Sequence, residues 1–144
     1  MQKLLALDIG DKYIGLAKNI QSISQRLNSI LNDKNSIKNI SQIISDNKID
    51  KIIVGLPLGY DGKETDQSNI IKEYILQLRK YIKIPVVYEN EILTSIEAQN
   101  NLRTAGFSPS EVKKLEHSEA ASILLQQYLS HCHPDRSGGI SKNN

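Results

Sequence analysis

The stretch Leu4-Leu5-Ala6-Leu7-Asp8-Ile9-Gly10, followed by Asp11-Lys12-Tyr13-Ile14-Gly15, decides how the rest of the chain is read. An apolar run, then a carboxylate, then a glycine reads as a strand buried on both faces that ends in a tight turn. By alternation, Leu4, Ala6 and Asp8 share one face, and Leu5, Leu7 and Ile9 share the other. A charge at the end of a buried strand is costly unless something compensates it. A metal ion, or the counter-ion of a bound phosphate, is the usual compensation. A turn capped by the Asp8 side chain is the simpler alternative.

Working outward, Tyr13 to Lys18 alternates through Ile14 and Leu16 and returns antiparallel through the Gly10-Asp11-Lys12 turn. Ile23 to Leu31 reads as a third, edge-like strand. Asn35-Ser36 offers a helix N-cap, and Ile37, Ile40, Ile43 and Ile44 follow at helical spacing to about Asn47. Lys51 to Gly55 is a β-branched strand, and Leu56 to Gly62 is a loop rich in turn formers. A helix from Thr65 or Asp66 to about Ile82 places Ile71, Ile75, Leu78 and Ile82 on one face. Pro85 to Tyr88 is a further strand, ending in the polar cluster Glu89-Asn90-Glu91. Thr94 or Ser95 caps a helix to about Thr104, stopped by Gly106, and Phe107 to Lys114 reads as a loop. A final helix from about Leu115 to Ser130 carries an inward stripe of Ala121, Leu124, Leu125 and Tyr128. The predicted architecture is α/β: a mixed five-stranded sheet, three antiparallel strands and then two parallel ones, with helices on both faces.

The 144 residues suffice for one domain with a sizeable core. Residues 1–130 form that domain, and the polar stretch 131–144 is read as a disordered tail. The net charge of +2 permits a nucleic-acid partner without arguing for one. Cys132 is the single cysteine, which excludes an internal disulfide and fits a reducing cytosol. With no long apolar run and no signal-peptide pattern, the expectation is a soluble cytoplasmic protein.

Candidate chemistry gathers at strand ends. Asp8 ends the first strand, Glu91 follows the last, and the two converge if the sheet brings those strands together. His117 precedes Ala121, Leu124 and Tyr128 at helical spacing, so it lies on the stripe facing the sheet. Glu119, roughly 200° around the helix from His117, points away, and Glu116 reaches the rim. Two acids and an imidazole form a plausible divalent-metal set, for Mg or Mn. Such sites hydrolyse phosphodiesters. The bland readings are an N-cap role for Glu91 and a satisfied core imidazole for His117. His131-Cys132-His133 lacks a second ligand pair. The Gly55-Leu56-Pro57 and Asp61-Gly62 loop could offer backbone amides to phosphate but has no P-loop lysine.

Four blocks in register resemble the YqgF/RuvX family of bacterial proteins. Leu7 to Ala17 is similar to the family's D-x-G-x-K-R-I-G-x-A, and Val54 to Leu58 with Asp61-Gly62 to its G-L-P-L-x-x-D-G loop. Pro85 to Ser95 is similar to its strand leading into D-E-R-L-T-T. His117 to Ala121 with Ile123 to Leu129 resembles its D-x-x-A-A-x-x-I-L-Q-x-Y-L helix. The resemblance implies a ribonuclease-H-like fold and a metal-dependent nuclease that matures the 16S ribosomal RNA precursor. A resolvase acting on branched, Holliday-junction DNA is the alternative. It also implies that Asp8, Glu91 and His117 are the catalytic and metal-holding residues, with a divalent Mg or Mn ion as cofactor. Lys12, Gly55, Pro57 and Thr94 are candidate substrate contacts. The implied partners are nucleic acid and ribosomal particles, with the chain a monomer or homodimer. The chain departs from the pattern at His117, in place of an aspartate, and at Asn90, Ile92 and Tyr13, in place of an aspartate and two arginines. The histidine removes a negative charge, from which weaker cation binding, or a preference for Mn over Mg, would follow. The lost arginines weaken phosphate contacts.

Two other classes compete. One is a catalytically weak RNA- or ribosome-binding module on the same fold, suggested by the altered motif positions. The other is a phosphotransferase of the actin or sugar-kinase type, which also opens with D-x-G. The chain is too short for two such lobes and lacks a second Asp-x-Gly strand turn in its later half.

Overall fold

Strand β1 (Leu4–Ile9) is buried along its whole length, as an apolar run flanked by strands on both sides requires. The computed structural model describes residues 1–59, 61–91 and 94–131, with backbone only at 94 and 95. Strand β2 (Tyr13–Ile20) returns antiparallel to β1, with Asp8 opposite Gly15. The expected third strand is broken into β3 (Ile23–Arg26) and β4 (Ile30–Leu31), and both pair with β2. The turn between them carries Ser29, whose hydroxyl leaves the ladder to donate to the Lys114 carbonyl at 2.6 Å.

Helix α1 (Ser36–Asn47) leads to β5 (Lys51–Leu56), and α2 (Asp66–Leu78) leads to β6 (Val86–Asn90). Both crossovers set parallel pairs, β1 with β5 and β5 with β6. The described sheet therefore has six strands rather than five, in the order β3-β2-β1-β5-β6 with β4 beside β2. Thr65 caps α2 reciprocally with Ser68. The helix stops at Leu78, four residues before the expected end. Ile82 keeps its place against the core without being helical.

Helix α3 (Thr94–Thr104) ends before Gly106, whose φ of +94° favours glycine. Helix α4 (Pro109–Ser130) begins six residues earlier than the periodicity suggests. Ser108 accepts from the Glu111 N–H, Glu111 accepts from the Ser108 N–H, and Pro109 opens the first turn. The expected loop over Phe107 to Lys114 is thus mostly helix.

Two apolar clusters lie on opposite faces of the sheet. Leu5, Leu7 and Ile9 pack with Ile40, Ile44, Ile71, Ile75 and Leu78 of α1 and α2. Leu4, Ala6, Ala17 and Ile53 pack with Ala121, Leu124, Leu125 and Tyr128 of α4. The expected alternation along β1 and the expected α4 stripe both hold. Among the described residues no helix is long and apolar enough to cross a membrane. Of the expected tail over 131–144, residues 132–144, with Cys132 and His133, lie outside the described ones.

Candidate active site

The parallel arrangement of β1, β5 and β6 puts their C-terminal ends on one edge of the sheet. Asp8 sits near the end of β1 and is 4% exposed. Glu91 lies one residue past β6, two strands away, or roughly 10 Å at ordinary strand spacing. A glutamate spans that gap only if the strand between offers no side chain. Gly55 of β5 meets this condition, because a Cβ there would overlap the Glu91 carboxylate. On the other flank of Asp8, Gly15 does the same for α4. A Cβ on Gly15 would strike the His117 carbonyl and the Ser118 amide, so the bare backbone lets the helix lie directly on β2. A Cβ on Gly10 would meet the His117 ring itself, at 2.5 Å from Nε2.

The helix is fixed in that position by hydroxyls. Buried Ser118 accepts from the Leu16 N–H at 2.9 Å, and its Oγ lies 3.0 Å from Ser29 Oγ. Arg26 pairs with Glu119 at 2.8 Å on the side of α4 away from the acids. Ser24 and Ser122 hydroxyls meet at 2.8 Å, one turn further along. These contacts leave the His117 Nδ1 at 2.9 Å from Asp8 Oδ2.

The three side chains therefore meet through Asp8. His117 is raised above its ordinary value, chiefly by its hydrogen bond to Asp8 and against the effect of burial, with Glu116 and Asp11 adding to the pull. Its Nδ1–H donates to the Asp8 carboxylate. Glu91 is pushed up to about 9 by burial, by the charge of Asp8 and by a hydrogen bond with it. Glu91 is then a neutral acid at pH 7, because two adjacent carboxylates do not both ionise readily. Two hard carboxylates and an imidazole are the donor chemistry of a divalent Mg or Mn site. A cation would supply the charge that the Glu91 proton now offsets. Among the described residues, no three His, Cys, Asp or Glu side chains surround a common centre as they stand. Asp8 and His117 are instead turned on each other.

A cleft of about 660 Å³ opens over this group. Asp8, Glu91 and His117 line it, as do Lys12, Pro57 and Glu116. Gly55 does not, and its role is the clearance for Glu91. The side chain of Thr94 lies outside the described ones. Several amides in and beside the 55–62 loop bond within the loop itself. The Gly59 N–H goes to the Lys63 carbonyl, that of Gly62 to the Gly59 carbonyl, and that of Lys63 to Asp61. Sequence reasoning missed Ser118, Ser110, Lys113 and Lys114. The S-x-x-E signature of Ser108 to Glu111 could have found the last three, by starting α4 where it starts.

The fold is similar to that of solved resolvases. A T. thermophilus RuvC solved with a Holliday junction substrate superposes with a TM-score of 0.56 at 12% identity, covering 96% of this chain and 97% of that one. A Fowlpox virus resolvase solved with Holliday junction DNA gives 0.53 at 17%, covering 90% and 97%. At such identities these likenesses speak for the fold. The chain belongs to the RuvX family, described as Holliday junction resolvase, whose model matches residues 2–131. A relative from Rickettsia conorii is 34% identical over 130 residues, covering 88% of this chain and 84% of its own. One from Chloroflexus aggregans is 31% identical over 134 residues, covering 89% and 93%. Both carry the name "Putative pre-16S rRNA nuclease".

Proposed function

We propose that this protein is a divalent-metal-dependent nuclease acting on the 16S ribosomal RNA precursor in the cytoplasm. The observation that carries this reading is the meeting of Asp8, Glu91 and His117 on the floor of one open cleft. The name borne by its relatives supports the substrate. Asp8 and Glu91 would hold the ion, with His117 as the third group. When bound, a divalent cation activates water for attack and stabilises the leaving oxygen. Glu91 would have to give up its proton to serve as a ligand. His117 Nδ1–H holds the Asp8 carboxylate in one orientation. Gly55 keeps Glu91 in reach of Asp8, and Gly15 lets α4 bring His117 to it.

Purified protein should cleave a precursor substrate in Mg or Mn, and Asp8→Asn should lower the rate on the order of 100-fold or more. Full activity in that variant overturns the assignment. The family's own description favours a second substrate, branched DNA. Precursor RNA and a four-way DNA junction, compared at matched salt, separate the two. Tight RNA binding with no cleavage in any divalent metal would favour the binding-module reading.

A further inference from the structure

Helix α4 carries more into the cleft than His117. Because it starts at Pro109, two more turns precede the histidine. Lys113 and Lys114 stand four and three residues before His117, and Ser110 seven before it, so all share one helical face. All of them line the same cleft as Asp8 and Glu91. Across the opening, Lys12 projects from the β1–β2 turn, with its ammonium 5.5 Å from the Tyr13 ring. Lys12, Lys113 and Lys114 are exposed. Among the described residues none of the three forms an ion pair, although Asp11 and Glu116 line the same cleft. Glu116 is instead engaged by Gln99, at 2.7 Å. The result is an acidic floor beneath a cationic rim that forms no ion pair among the described residues. Cations on both sides of an open cleft, Lys12 on one and Lys113 with Lys114 on the other, suit a polyanion with repeating phosphates better than a single small anion.

We infer that Lys113 and Lys114, with Lys12 opposite, grip the phosphodiester backbone of a nucleic-acid strand and lay it across the acids. This rests on the nuclease reading and names the residues that hold its substrate. The lysines are positioning residues: they carry no sequence information and place the strand in register.

The test measures binding of a labelled RNA oligonucleotide, and of a DNA of the same sequence, by fluorescence anisotropy over a range of salt in EDTA. Wild type is compared with Lys113→Gln/Lys114→Gln and with a control, Lys38→Gln/Lys80→Gln, whose exposed lysines lie outside the cleft. The cleft variant should lose affinity, and its log–log salt slope should flatten by about 1.4 to 1.8, two phosphates' worth. The control should follow wild type, and thermal unfolding should be the same for all three. Loss on RNA alone, on DNA alone or on both each supports the grip and names the strand it suits. An unchanged slope in the cleft variant, or equal flattening in the control, overturns it. If wild type cleaves precursor while the cleft variant binds unchanged, this inference fails and the nuclease reading stands. If wild type binds through the lysines but never cleaves, the reverse holds. Absence of all binding by wild type overturns the grip, while the cleavage assay in Mg or Mn decides the nuclease reading separately.

Discussion

Replacing Glu91 with glutamine removes a titratable proton while leaving Asp8 a donor to bond with. In the native protein that carboxyl is pushed from 4.5 to about 9, first by burial, then by the charge of Asp8 and their hydrogen bond. Between those values the folded chain holds a proton that the unfolded chain has released, so stability falls as pH rises through the window. One proton accounts for at most about 1.4 kcal/mol per pH unit, or about 4 kcal/mol from pH 5 to 8. His117 has the same sign, because its native value is also raised. Its contribution is complete below its unfolded value of about 6.5 and is lost as pH passes the native one. Urea unfolding in EDTA should therefore show wild type weakening steeply from pH 5 to 8. Glu91→Gln should follow a flatter profile, retaining only the His117 part, and should be the more stable protein at pH 8. Saturating MnCl2 should restore wild type at pH 8 and leave the variant nearly unchanged. Parallel pH profiles for the two proteins would mean that Glu91 is already ionised in the metal-free fold, and the account of the acid cluster would fail.

His117→Asp should strengthen Mg binding by about tenfold or more, since a third carboxylate adds charge to the cation site. Titration calorimetry would measure this, and an unchanged affinity would remove residue 117 from the metal's surroundings. Ser118→Ala should cost about 1–3 kcal/mol in urea unfolding, because the buried Leu16 N–H loses its acceptor. A change below about 0.5 kcal/mol, within the range of ordinary surface substitutions, would show that α4 is held on β2 by packing alone.

The acid on β1, the acid after β6 and the imidazole on α4 are all legible in the sequence, because each follows from a local pattern. Asp8 interrupts an apolar run, Glu91 follows a strand, and His117 falls in step with Ala121, Leu124 and Tyr128. What joins them is not local. Gly15 and Gly55 look like turn or motif glycines until the sheet order places them against His117 and Glu91. The gap between β3 and β4 was hidden for a similar reason. Ser29 leaves the strand for a carbonyl of α4, 85 residues away. The start of α4 was missed because Lys113, Lys114 and Glu116 dilute the apolar periodicity, although Ser108 and Glu111 spelled the cap. The end of α2 was placed too late because Ile82 continues the periodicity while the chain has already turned.

Helix α4 covers the sheet face of Leu4, Ala6, Ala17 and Ile53 and also delivers His117. Synthesis runs from the N-terminus, so the strands emerge from the ribosome well before this helix does. Until it docks, the growing polypeptide has one greasy side bare and two acids with no histidine beside them. On the nuclease reading, the cleft would lack its third group for as long as the chain is being made.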